Sequence, residues 1–178
     1  SPELGLVYGQ CLVINSGGEN SSQWANRQNK YTKNTILKTL PEGRIFEKLL
    51  KFNFIPIVTA IISRSIYHEV GGLSDYFEQA EDYELFVKIS ASRKVRAVQD
   101  VVAFYRVHEN NISIRNQDKS FNEVLEVVGR FQPDVAATEG LNYHHTAYAL
   151  MLMKDWYLYK GLQYFFNLSS RYVFPLII

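Results

Sequence analysis

The sequence predicts an α/β fold: a small mixed sheet flanked by helices, followed by a helical C-terminal region. Three observations carry that expectation. Short runs rich in β-branched and aromatic residues occur at Leu6–Ile14, Ile57–Ser63 and Val101–His108, and such runs bounded by Gly, Pro and Asn read as strands. Between the runs, apolar residues recur at helical spacing around Ile45–Leu50 and Glu81–Ala91. Past Ser113 the helical period takes over altogether. The 178 residues suffice for one domain with a real core, or for part of a larger one, and 47% hydrophobic with 21% charged residues is ordinary for a globular chain.

Taken in order, Leu6–Ile14 is the first strand, set between Gly5 and the turn-forming Asn15-Ser16-Gly17-Gly18. The polar stretch from Asn15 to Asn34 reads as a loop or hairpin excursion, in which Trp24 either pins the loop to the core or covers a ligand face. Pro41-Glu42-Gly43 is a turn, and Ile45, Phe46, Leu49 and Leu50 mark one face of a short helix. Ile57–Ser63 is expected as a central strand with Pro56 at its edge. A short helix and the Gly71-Gly72 turn lead to Ala80-Glu81-Asp82, which opens the next helix. The strand Val101–His108 alternates, so Val102, Phe104, Arg106 and His108 share one face. Phe121, Val124, Leu125, Val128 and Phe131 make an amphipathic helix stopped by Pro133, and a second helical region runs from Tyr143 to about Asn167. The expected organisation is a first unit over 1–115 and a helical extension over 116–178.

The acidic pair is the feature with chemical content. At about 100° per residue, Leu85, Phe86 and Ile89 form one stripe with Asp82 in its middle. Glu81, Glu84 and Lys88 fall on the opposite side, where Glu84 and Lys88 are expected to pair in water. An inward carboxylate at a helix start has two readings. It bonds the free N–H groups of the first turn, or it lines a cleft where a proton is taken from a substrate.

The ordered set around the pair comprises Ile61-Ile62-Ser63-Arg64-Ser65, then Val70-Gly71-Gly72-Leu73, then Glu81-Asp82, then Phe104-Tyr105-Arg106-Val107-His108 and Asn110-Asn111-Ile112-Ser113. It resembles that of family 2 glycosyltransferases of the GT-A fold. The resemblance covers about Leu6 to Ser113 and rests on the order and spacing, since no single motif is strong. It implies inverting transfer of a sugar from a nucleotide-sugar donor to a hydroxyl of a glycan or lipid-linked acceptor. Asp82 would be the general base, and Glu81 would orient the loop or touch the acceptor. Ser63 and Arg64 would border the acceptor site, unless Arg64 merely caps the next short turn. Arg106 and His108 would face the diphosphate, because a guanidinium binds it bidentately and a neutral imidazole can take a metal. Alternatively, Arg106 pairs with a carboxylate such as Asp82 or Asp75. The resemblance further implies a divalent cation, Mn²⁺ or Mg²⁺, on an Asp-x-Asp motif. No Asp-x-Asp and no Gly-rich phosphate loop occurs in the sequence. The chain is therefore expected to be the acceptor-side half of such an enzyme, inactive by itself and prone to self-association through an uncovered sheet edge or Tyr148–Ile178.

Several other classes are disfavoured. A formal net charge of +1 argues against nucleic-acid binding. The single Cys11 excludes an intrachain disulfide and fits a reducing, cytoplasmic compartment. No apolar run approaches the roughly 20 residues of a membrane-spanning helix. The aromatic residues Tyr148, Trp156, Tyr157, Tyr159, Tyr164, Phe165 and Phe166 point to packing or self-association, with peripheral membrane contact as the second reading. Asn20, Asn111 and Asn167 stand in Asn-x-Ser triplets, which carry no meaning without a secretory context. The competing functional class is a non-catalytic sugar-binding or assembly module built on a remnant of the same fold.

Overall fold

A computed structural model describes residues 3–20, 39–108, 116–154 and 160–164, without the side chains of Gln117 and Lys154. Expectations that fall on Trp24, on Asn110–Ser113, on the aromatic residues 156–159 and 165–166 and on the apolar tail lie outside these residues. The element order is β1 (Leu4–Ile14), α1 (Phe46–Lys51), a 3₁₀ turn (Ile57–Thr59), β2 (Ile61–Ile62) and α2 (Arg64–Glu69). Then come α3 (Glu81–Ser92), β3 (Lys94–Arg106), α4 (Gln117–Gly129) and α5 (Val135–Lys154). The α/β class and the small mixed sheet are present: three strands in the order β2-β1-β3, with β1 antiparallel to β2 and parallel to β3.

Three expectations need correction. Ile57–Ser63 is not a central strand. Its first half is the 3₁₀ turn, where Thr59 N–H and Oγ1 both bond the Pro56 carbonyl, and only Ile61 and Ile62 pair, at the edge. Pro56 fixes the chain in a turn and so consumes the residues that would have extended the strand. The central strand is β1. Second, β3 begins at Lys94, well before Val101, because only Arg93 separates it from α3. The Pro41–Gly43 turn covers that added part. Gly43 exchanges two backbone bonds with Val95 (2.7 and 2.9 Å), and the Gln99 amide bonds both N–H and C=O of Leu40 (2.8 and 3.2 Å). Third, the last helix starts at Val135 rather than Tyr143. Asp134 accepts the N–H of Ala136 at 2.7 Å, an N-cap directly after Pro133, and the helix runs through Gly140.

One core joins the sheet to all the helices. Leu6, Tyr8, Leu49, Leu50, Tyr83, Phe86, Ile89 and Val95 are buried with Val127, Val128, Ala137 and Leu141. Gly5 and Gly72 are among the glycines that permit close approaches. A Cβ on Gly5 would lie 2.5 Å from Ile89 Cγ2 and 2.6 Å from Arg93 Cβ, so β1 and α3 meet there with no side chain between them. Gly72 has φ +66° and stands against the Tyr67 ring, while its N–H bonds the Tyr67 carbonyl at 2.8 Å and closes α2. On the sheet, Ile61, Val101, Val102 and Phe104 remain exposed. Of the described aromatic residues of the C-terminal region, Tyr148 and Tyr164 pack against Phe121, while Tyr143 is exposed. Tyr148 stacks on Phe121 at 4.0 Å and donates to Asp118 at 2.6 Å, and Tyr164 meets both rings.

Candidate functional site

The Glu81-Asp82 pair begins α3, and Ala80, which precedes it, offers no capping side chain. Asp82 supplies part of what a cap would: its Oδ1 accepts the N–H of Tyr83 at 2.6 Å. The first-turn role expected of this carboxylate is thus present, and it does not exclude the second role. Asp82 is half-buried. Burial and the neighbouring Glu81 charge push its carboxyl up to about 6, against the opposing pull of the backbone N–H groups. At neutral pH it is mostly ionised and basic enough to receive a proton from a polarised hydroxyl. Beside it, Glu81 Oε2 and Gln79 Oε1 are buried oxygens without a hydrogen-bond partner, an uncommon condition for native polar groups.

The far side of α3 differs from expectation. Glu84 is not in water but 3% exposed. It pairs with Lys88 as expected, Nζ to Oε2 at 3.1 Å, and its other oxygen takes the Arg130 guanidinium. A helix wrapped by core on nearly every side can bury a carboxylate only when cations come with it. Arg130 lies just beyond α4, bonds Glu126 at 3.0 Å, and covers the Phe77 and Tyr76 rings at 4.5 and 5.3 Å.

The segment leading into the pair is held from α4. Glu123 accepts the N–H groups of Glu78 (3.2 Å), Gln79 (2.8 Å) and Ala80 (3.0 Å), while Lys119 pairs with Glu78. The sequence pattern gave no sign of Glu123, which lies opposite the stripe of Phe121, Val124 and Val128. A carboxylate two residues from a large aromatic residue and four after Lys119 reads as a solvated i,i+4 pair, and only tertiary packing distinguishes it. Val127, fully buried on the same side as Glu123, was the available hint of a second packed face.

Ser63 is the N-cap of α2, its Oγ accepting the N–H of Ile66 at 3.3 Å. Arg64 is the first residue of that helix, not its cap, and its Nε lies 3.5 Å from His68 Nε2. Arg106 does not pair with Asp82 or Asp75. Its Nη1 donates to the carbonyls of Asn15 (2.9 Å) and Ser16 (2.8 Å), fastening the turn after β1. His108 is exposed just past the end of β3. Among the described residues no group of three or more His, Cys, Asp or Glu side chains could hold a metal. Among them, too, no helix is long and apolar enough to cross a membrane. A further histidine emerges in the core: His144 Nε2 lies 2.9 Å from the Leu50 carbonyl, and burial pushes its pKa down to about 4.

No family model matches the chain, and no curated protein matches it either.

Proposed function

We propose that this chain is the acceptor-side half of an inverting glycosyltransferase with a partial GT-A-like fold, in which Asp82 takes the proton of the attacking acceptor hydroxyl. The observation that carries this reading is the half-buried Asp82 carboxylate at the first turn of α3, next to the unpartnered oxygen of Glu81. The order of Gly71-Gly72, the acidic pair and the Tyr105-Arg106-x-His108 strand supports it. In the reaction, the acceptor oxygen forms a bond to the anomeric carbon as the bond from that carbon to the nucleoside diphosphate breaks. The hydroxyl proton passes to Asp82, and Glu81 orients the acceptor. Stabilising the departing diphosphate requires positive charge. Arg106 is committed to the Asn15–Ser16 turn through Nη1, so its proposed part is to hold that turn beside the donor, with His108 next to it. The described residues do not form a ligand set for the divalent ion that the resemblance implies.

Two observations test the reading. The coding sequence upstream of Ser1 should encode a strand–helix nucleotide-binding half carrying Asp-x-Asp. An unrelated upstream region would replace this reading with the non-catalytic module, for which the exposed Val101, Val102 and Phe104 would be the assembly face. Calorimetric titration of the 178-residue chain with uridine and guanosine diphosphate sugars and Mn²⁺ should give no measurable binding. Micromolar, metal-dependent binding would refute the division into halves.

A further inference from the structure

We propose that Glu123 of α4 is a positioning residue for the acidic pair, its carboxylate holding three successive backbone N–H groups and thereby fixing the first turn of α3. The proposal rests on the reading of Asp82 as the base, but its structural content does not. The N–H groups of Glu78, Gln79 and Ala80 converge on one carboxylate, which alone supplies an acceptor to each of them. Successive N–H groups turned to one point form a concavity for an anion. Here the anion is a side chain from an element more than 40 residues away in sequence, as the separations of 43 to 45 show. Ala80 gives α3 no side-chain cap of its own, and Glu123 supplies the acceptor for the N–H groups just before Glu81 and Asp82. Glu123 is buried, and Lys119 Nζ stands 4.0 Å away as its nearest cation.

Arg130 makes a second tie from the same helical region, joining Glu84 one turn further along α3 and covering Phe77 just before the triplet. Glu123 and Arg130 therefore grip the pair from both sides in sequence. This gives the C-terminal helical region a role beyond covering apolar surface: it sets where Asp82 stands and how much water reaches it. Motion of α4 would be transmitted directly to the proton acceptor.

The test compares Glu123→Ala and Glu123→Gln with the parent in the full chain. Amide hydrogen exchange is read residue by residue, and the Asp82 carboxyl is titrated by carbon-13 NMR. In Glu123→Ala, the amides of Glu78, Gln79 and Ala80 should exchange at least about tenfold faster, while those of Phe86–Ile89 keep their protection. The Asp82 midpoint should fall toward the ordinary carboxylate value as water enters the first turn. Glu123→Gln keeps one acceptor oxygen without the charge. It should restore much of the protection, and it supplies the comparison if the alanine variant does not fold. Unchanged exchange at the triplet, an unchanged Asp82 midpoint, or acceleration spread evenly over the chain would overturn the proposal. In the transfer reaction, Glu123→Ala should move the acid limb of the pH–rate profile with the Asp82 midpoint. If Asp82→Asn leaves transfer intact while the exchange and titration results hold, the catalytic reading fails and the positioning contact survives.

Discussion

Replacing Asp82 by Asn should make the protein more stable at neutral pH, and the size of the gain follows from its surroundings. Burial and the Glu81 charge raise the Asp82 carboxyl from 3.8 to about 6 on folding. At about 1.4 kcal/mol per tenfold in proton affinity, ionised Asp82 costs the folded state up to about 3 kcal/mol. The sign is that of a group that binds its proton more tightly when folded. The cost is fully present above about pH 6, shrinks as pH falls, and vanishes below the unfolded value near 3.8. Asparagine keeps an oxygen that accepts the Tyr83 N–H and removes the charge facing Glu81. Urea unfolding of both proteins between pH 4 and 8 measures the difference. Asp82→Asn should be the more stable by about 2–3 kcal/mol at pH 7–8, and the two curves should converge by about pH 4. A difference that does not vary with pH, or a variant less stable at pH 8, would refute the account of a carboxylate held against its own ionisation. A stabilising substitution at a group proposed to be essential for catalysis is the trade expected of a strained site.

Three further outcomes test the frame around the site. His144, held neutral against the Leu50 carbonyl, has a folded pKa of about 4 against 6.5, so its contribution is intact above 6.5 and is lost as pH falls toward 4. His144→Gln should therefore remove an acid-side loss of about 3 kcal/mol, read from melts across that window. Gly5→Ala forces a methyl group into Ile89 and Arg93 and should cost about 1–3 kcal/mol in urea unfolding, with the sheet signal retained. Arg130→Met removes one of the two cations at buried Glu84 and should cost about 2–4 kcal/mol, whereas pairing it with Glu84→Gln should recover part of the loss.

Where the sequence is legible, the reason is local. The β1 run, the α3 stripe of Leu85, Phe86 and Ile89, and the α4 stripe around Phe121 and Val128 follow from periodicity, and each lies where its pattern puts it. The failures arise where tertiary contacts outvote a local signal. Ile57–Ile62 has the composition of an interior strand, yet Pro56 and the 3₁₀ turn leave it two paired residues. Lys94–Asp100 looks polar, yet one of its edges pairs with β1 and the other is covered by the turn, through Gly43 on Val95 and the Gln99 amide on Leu40. Glu84 and Lys88 pair as the spacing says, but Arg130, arriving from beyond α4, turns a surface pair into a buried one. Of the candidate site, only the inward turn of Asp82 can be read locally; Glu81, which the helical period places on the opposite side, has a buried oxygen. Ser63 and Arg106 are engaged in caps and turns, and Glu123 enters through its three backbone bonds alone.

The most direct measurement is the initial rate of sugar transfer by Asp82→Asn in the protein that joins this chain to its nucleotide-binding half, with nucleotide-sugar binding followed in parallel. Binding should be unimpaired and the rate lower by about 10²–10⁴-fold, the loss expected for removing a general base. Glu81→Gln should cost less. A fully active Asp82→Asn enzyme would contradict the account and leave Asp82 as a first-turn acid only.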